Sequence, residues 1–574
     1  MRLSIVSENA SLTDRLSGHP RDFDWGINTL LGLMQRHPLL ISSLIEHAAR
    51  AHPGVPIVSC VPNAPAHRCT YANIDRRARQ LARALTALGV REGDRVGSLA
   101  WNGYRHVELF FGASGMGAVL HTVNPRLFPE QIEYIINHAE DQHLFFDVGF
   151  ASLVEQLAPR LHSVRCFVAM TDRANMPAIS IPNLLCYEEL IGVQRSEYDW
   201  PTLDENAASS LCYTSGTTGD PKGVLYSHRS TLLHAMTVCA SDGFGLSARD
   251  ALFMAAPMFH VNAWGMPYAC AMTGASMILP GSALDGASVY RSLRDEKATA
   301  ALGVPTVWLA LQHHVAAQGL QPRQDLGWNR VLIGGAAAPL AVVETFERDF
   351  GVRVVHAWGM TETSPVATIA NPLRKHQGSS PQQQIDLQAK QGRVPYGVAI
   401  KLVDGEGNSL PHDGNACGHL LVRGHWIAAG YYRHEDGSIV DEADWFDTGD
   451  IATIDADGYM QITDRAKDLV KSGGEWISSI SLENAAVGHP SVAEAAVIAI
   501  AHPKWQERPL MIVVKKPGCE ITKQQLLSYL SDKVAKWWLP DDIVFVGEIP
   551  HTATGKIQKM KLRERFGNHV LIDP

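Results

Sequence analysis

No Cys-x-x-Cys pair and no histidine and cysteine cluster at metal-ligand spacing occurs in this 574-residue sequence, although it holds nine cysteines and 25 histidines. That absence argues against a zinc site. The odd, scattered cysteines suit the reduced thiols of a cytoplasmic protein better than a disulfide framework. A basic surplus is lacking too: 50 Lys and Arg against 59 Asp and Glu leave a formal charge of −9. No nucleic-acid surface is expected, and an anionic ligand would have to meet local cations. No apolar run reaches the roughly 20 residues of a membrane-spanning helix. The nearest, 264–281, contains Pro267 and Gly274 and is read as buried core, which leaves peripheral membrane contact open. Charges interrupt every apolar stretch of the first 25 residues, so neither a signal peptide nor an Arg-rich presequence is expected. Internal repeats are absent as well.

What is present is an ordinary globular composition, 46% hydrophobic and 19% charged, in a chain too long for one core. Residues 1–36 show no periodicity and are read as an extension. From Ile74, apolar positions 74, 78, 81, 85 and 88 share one helical face, Gly89 suits the helix end, and 95–100 follows as a strand. The alternation continues with 106–115 helical, 118–123 extended, 129–138 helical and 144–147 extended. This rhythm predicts an α/β fold, parallel sheet covered by helices. Beyond about residue 395 the pattern changes to short hairpins with Asp404-Gly405 and Asp457-Gly458 turns, a β-rich subdomain. The last block has strands at 492–500 and 510–516. Thr522 and Gln525 then form a capping box ahead of a helix carrying Leu526, Leu527, Leu530 and Val534, so an α+β domain is expected there. The boundary is placed in DRAKDLVKSGGEW, 464–476, giving a large domain over 37–465 and a small one over 466–574.

One loop stands out, CYTSGTTGDPKGVLYSH at 212–228. Gly216, Gly219 and Gly223 let other atoms approach the backbone, while Thr214, Ser215, Thr217, Thr218 and Lys222 supply donors. Such a loop reads either as a polar turn between two strands or as a cradle for polyphosphate. The P-loop pattern G-x-x-x-x-G-K-[ST] fails here, because Pro221 stands where its second glycine is required.

Taken with that loop, HAWGMTETSP at 356–365, WFDTGDIATIDADGYMQITDRAKDLVKSGGEWIS at 445–478 and TATGKIQK at 552–559 resemble the acyl-adenylate-forming superfamily of acyl-CoA ligases, adenylation domains and luciferases. The likeness runs from about residue 38 to the C-terminus. PMFHVNAWGMPYA, GGAAAP and HPKWQERP bring it close to bacterial medium- and long-chain fatty-acid CoA ligases. The resemblance implies a two-step reaction: a carboxylate attacks the α-phosphate of Mg-ATP to give acyl-adenylate and pyrophosphate, then coenzyme A displaces AMP. It also implies that the small C-terminal domain is mobile between the two steps.

Residue roles follow from the resemblance. The loop with Thr214, Ser215, Gly216, Thr217, Thr218, Gly219 and Lys222 would hold the β- and γ-phosphates. Glu362, alone an ordinary surface acid, becomes the Mg2+ ligand with Thr214, and Thr361 would bond the α-phosphate. Trp358 would lie on the adenine, where a core Trp reads nearly as well, with Gly359, Gly335 and Ala336 beside it. Asp450 would accept both ribose hydroxyls, with Arg465 next to it. Lys556 would be the adenylation lysine, Lys467 the hinge, and Trp476 a further cofactor-side residue of the small domain. His260, Trp264, Gly303, Pro305, Thr306 and Gly334 would border the acyl channel, Trp264 as its gate; as isolated residues all of these read equally as packing. The implied substrates are a medium-chain fatty acid, ATP and coenzyme A, with long-chain, short-chain or thioether-bearing acids as neighbouring readings. Loading of a carrier-protein thiol, and a non-catalytic nucleotide-binding protein, are the remaining alternatives. A homodimer follows only by analogy.

Overall fold

The computed structural model describes residues 32–61, 64–214, 220–434, 437–472, 475–551 and 557–569. Two units are distinguished, Met1–Pro38 and Leu39–Pro574. The first is described only at residues 32–38, which form neither helix nor strand.

The second unit is built on four sheets. A seven-stranded sheet runs in the order 184–186, 166–169, 143–146, 95–99, 119–122, 208–213, 223–227. All its pairs are parallel except the last, where Ala208–Tyr213 and Gly223–Ser227 form the antiparallel arms of the phosphate-loop candidate. An eight-stranded sheet has the order 366–369, 353–359, 330–333, 300–303, 251–254, 276–279, 56–61, 64–70. Its centre is parallel and its two edges are antiparallel. Helices between the sheets supply the largest core. Helix Tyr71–Ala87 buries Ile74, Ala78, Leu81 and Leu85, is opened by a Thr70–Asn73 capping box, and ends at Leu88 with Gly89 at φ 84°. The apolar stretch around Pro267 is the buried helix Met266–Thr273, leading into strand Ser276–Leu279. Among the described residues no helix is long and apolar enough to cross a membrane.

The β-rich part is a four-stranded antiparallel sheet, 398–403, 417–424, 446–454, 460–465, and the Asp457-Gly458 turn joins its last two strands. The chain then enters a separate sheet of 475–477, 470–472, 506–515 and 492–502, with 542–546 parallel to 506–515. Helix Lys523–Ser531 carries the Thr522–Gln525 capping box and buries Leu526 and Leu530. Val534 was expected on that helix face but lies beyond its end, because the helix stops at Ser531 and Val534 packs from the following turn.

Candidate active site

A cavity of about 1500 Å3 opens where the C-terminal ends of the strands in both large sheets, the β-rich sheet and the last block face one another. Strand Ala208–Tyr213 delivers Thr214 to its wall. There the neck of the glycine loop is closed by two bonds: Thr214 N donates to Lys222 O at 2.8 Å, and Lys222 N donates to Thr214 Oγ1 at 3.2 Å. Ser215, Gly216, Thr217, Thr218 and Gly219 lie outside the described residues. Lys222 lines the cavity with its ammonium 4.9 Å from the ring centre of Tyr431.

Strand Arg353–Gly359 ends in the short turn Thr361–Thr363, capped by Met360 N donating to Thr363 Oγ1 at 2.9 Å. That turn presents Thr361 and Glu362 to the same cavity. Glu362 is only 5% exposed. Its Oε1 accepts from the Tyr431 hydroxyl at 2.6 Å, and its carbonyl accepts from Ala428 N at 2.8 Å. Tyr226 donates to the Thr361 carbonyl at 2.7 Å. Burial, reinforced by the Glu362 charge, pushes the Tyr431 phenol well above its usual range, so it stays a neutral donor.

Asp450 and Arg465 are directly opposed across strands Phe446–Ile454 and Met460–Arg465. Arg465 Nε meets Asp450 Oδ1 at 2.7 Å, and Arg465 Nη1 donates to the Thr448 carbonyl at 3.2 Å. Trp358 joins them, its indole N–H donating to Asp450 Oδ2 at 3.0 Å. Gly334, Gly335, Ala336 and Gly359 also line the cavity. His260, Trp264 and the first turn of helix Pro305–Gln318 with Pro305 and Thr306 complete this part of the lining. Gly303 is not part of the lining: a Cβ there would stand 3.0 Å from the Trp308 ring and 3.1 Å from Ala255, so its smallness serves packing.

The last block closes the cavity. Lys467 lines it, burial lowers its ammonium below the usual lysine range, and its carbonyl accepts from Arg563 at 3.3 Å. His551 and Ile557 pair by an antiparallel bridge and both line the cavity; Lys556, between them, lies outside the described residues. Trp476 stands on strand Glu475–Ile477, 39% exposed and away from the lining.

Sequence reasoning missed several residues here. Lys559 is buried, with its Nζ 2.7 Å from Glu483 and bonded to Ser479 Oγ. Burial opposes its charge, yet Glu483, Asp464 and Asp468 outweigh that and hold the ammonium above its usual value. Lys561 lies 4.8 Å from the ring centre of Phe128, a contact from the last block to the large sheets. Tyr431 in GYYRH and Lys559 in GKIQK lie beside or within stretches that carry signals, but nothing in their spacing gives their partners.

Comparison with known proteins agrees with this geometry. The AMP-binding enzyme family model matches residues 45–432, and the AMP-binding enzyme C-terminal domain matches 481–556. A medium-chain-fatty-acid–CoA ligase of Ectopseudomonas oleovorans is 49% identical, the alignment covering 94% of this chain and 98% of that protein. A 3-methylmercaptopropionyl-CoA ligase of Ruegeria lacuscaerulensis is 50% identical over 94% of this chain and 99% of its own. Among solved structures, an anthranilate CoA ligase in complex with anthranoyl-AMP superposes with a TM-score of 0.80 at 27% identity, covering 92% of this chain and 98% of that one. With its sheets, its cavity and both family models in register along one sequence, this chain belongs to the AMP-binding enzyme family.

Proposed function

We propose that the protein is an AMP-forming acyl-CoA ligase that activates a medium-chain fatty acid. The observation that carries this reading is the convergence on one cavity of Thr214 and Lys222, Thr361 and Glu362, the Asp450–Arg465–Trp358 group, and the two residues that bracket Lys556.

In the first step the acid's carboxylate oxygen attacks the α-phosphorus of ATP, the bond from that phosphorus to the bridging oxygen breaks, and pyrophosphate leaves. Lys222 and the loop beyond Thr214 bind the departing phosphates. Asp450, held in place by Trp358 and Arg465, is the carboxylate that accepts the ribose hydroxyls. The Lys556 ammonium, brought to the α-phosphate, offsets charge that grows in the transition state, an effect of about 10² to 10³ in rate for one well-placed donor. In the second step the coenzyme A thiolate attacks the acyl carbon, the bond from that carbon to the phosphate oxygen breaks, and AMP leaves. Between the steps the block after Lys467 turns about that residue.

Mg2+ fits the residues present. Glu362 is a buried carboxylate facing the cavity and bonded by a neutral phenol, and Thr214 lines the same cavity. A hard cation held by one carboxylate and phosphate oxygens matches that donor set. When bound, the ion neutralises phosphate charge.

A buried methylene contributes about 0.8 kcal/mol, so the preferred acid is set by cavity depth. The test is a panel of acids from propionate to palmitate, with 3-(methylthio)propionate included, followed by AMP formation with and without coenzyme A. AMP release that peaks near octanoate and requires coenzyme A for turnover is expected. Turnover without coenzyme A, or ADP as product, overturns the reading. The same panel separates the methylthio-acid reading, to which the Ruegeria relative gives weight. Static light scattering tests the homodimer that we also propose.

A further inference from the structure

Between His260 and Gly265 the backbone takes a course that local preference opposes. Val261, Asn262, Ala263 and Trp264 hold φ of 46°, 50°, 51° and 57°. Left-handed backbone presses Cβ against the following carbonyl, and a β-branched residue such as Val261 tolerates it least. Single non-glycine residues adopt it; a consecutive run persists only where its surroundings impose it.

Inside the turn the backbone supplies little, Ala263 N to His260 O at 3.2 Å and Gly265 N to Asn262 O at 3.0 Å. The hold from outside comes through Asn262, which is 4% exposed. Its Nδ2 donates to Ser210 Oγ at 2.7 Å, and its Oδ1 accepts from Cys212 Sγ at 3.4 Å. Ser210 and Cys212 are alternate residues on strand Ala208–Tyr213, so they point to one face and present a matched acceptor and donor to a single amide. The turn in turn aims Trp264. Its ring edge lies 3.4 Å from where a Cβ of Gly334 would stand and 3.7 Å from that of Gly335. The indole is therefore laid across a wall that is glycine at both positions.

We infer that Asn262 is a positioning residue for acyl-chain selectivity: its amide clamps the left-handed turn to strand Ala208–Tyr213 and so fixes the Trp264 indole across the acyl part of the cavity. This rests on the reading that Trp264 borders the acyl site. With the amide removed, the strand keeps only the weak contacts of the Cys212 thiol with the Val261 and Asn262 backbone, and the turn relaxes toward right-handed or extended backbone, which carries the indole off the glycine pair. The vacated volume then accepts alkyl chain, and each further methylene buried favours binding by roughly fourfold.

The experiment uses the full-length enzyme and reads kcat/KM for dodecanoate divided by kcat/KM for butanoate, by pyrophosphate release at saturating ATP. Asn262→Gly deletes the amide while glycine still permits the native φ. Ser210→Ala deletes one of the two contacts and is the milder change, and circular dichroism checks that each variant is folded. Trp264→Ala reports on the gate itself. The expected result is a ratio raised at least about tenfold in Asn262→Gly and in Trp264→Ala, and by a smaller factor in Ser210→Ala. A general structural defect lowers both substrates alike and leaves the ratio where it was. A raised ratio in Trp264→Ala alone overturns the clamp and leaves the gate standing. An unmoved ratio in Trp264→Ala overturns both.

Discussion

The indole N–H of Trp358 donates to Asp450 Oδ2 at 3.0 Å, while Arg465 holds the other oxygen of the same carboxylate at 2.7 Å. The ring expected to lie on the adenine is thus also a fixed donor to the residue expected to bind the ribose. Trp358→Phe keeps an aromatic face and removes only the N–H. A hydrogen bond to a charged group contributes about 1.5–3 kcal/mol, so KM for ATP should rise by roughly 10- to 100-fold, with KM for the acid little changed. Initial-rate kinetics in both substrates check this; an unchanged KM for ATP would show that the indole serves only as a stacking face.

Lys556 and its surroundings give a second expectation. Lys559, three residues on, is pinned by Glu483 and Ser479, and Lys561 rests 4.8 Å from the Phe128 ring centre. These contacts hold the start of helix Lys559–Phe566 against the cavity. Lys556→Ala should lose pyrophosphate-linked turnover by about 10² or more while still converting supplied acyl-AMP to thioester. Phe128→Ala removes one exposed cation–π contact of about 0.5–1 kcal/mol and should slow the first half-reaction by roughly two- to fivefold. Equal loss of both half-reactions in Lys556→Ala would remove this assignment.

How much of this was legible in the sequence depends on how locally each feature is determined. Helix Tyr71–Ala87 and the capping box at Thr522 were readable because period and cap lie within a few residues of each other. Glu362, Asp450 and Arg465 were readable as motif positions only. Their geometry comes from elsewhere, since Tyr431 reaches Glu362 across 69 residues and Trp358 reaches Asp450 across 92. The turn at 261–264 had no glycine or proline to announce it, because it is held by a strand some 50 residues earlier. Gly303 has a packing reason that the sequence does not show, since a Cβ there would meet Trp308.

Buried histidines make stability sensitive to acid. Desolvation lowers His234 to about 3 and His106, His228 and His356 to about 4, against a usual value of 6.5. The ring nitrogens of His234 and His356 accept from the backbone N–H of Val366 and Ala338, bonds that a second ring proton abolishes. Because the folded values lie below the unfolded one, the unfolded chain binds more protons at mildly acid pH. The stabilisation is complete above about pH 6.5 and falls as pH drops toward 4, each histidine contributing up to about 1.4 kcal/mol per pH unit. The histidines therefore push the melting temperature down from pH 7 to pH 5, against the opposite pull of the buried Asp147 carboxyl, which burial raises to about 6; ring titration near pH 6.5 followed by NMR would show that these rings are not kept neutral.

The block that follows Lys467 meets the β-rich sheet through backbone as much as through side chains. Ser479 N donates to Asp464 Oδ2 at 2.6 Å, and Ser478 Oγ bonds the Thr463 carbonyl, so the N-terminus of helix Ser479–Val487 is tied to residues just before the expected hinge. Helix N-terminal N–H groups favour a carboxylate, and the proposed rotation requires this tie to break. Between those anchors and the block lie only Arg465, Ala466, Lys467 and Asp468, and Lys467 is the one whose carbonyl is bonded from the far side by Arg563 at 3.3 Å. Proline at 467 fixes φ near −65°, which removes the rotation while leaving every catalytic side chain in the sequence. Lys467→Pro should therefore retain one half-reaction within about tenfold and lose the other almost wholly. Measured separately, by pyrophosphate release from acid and ATP and by thioester formation from supplied acyl-AMP, two normal rates would mean that the pivot lies at another residue.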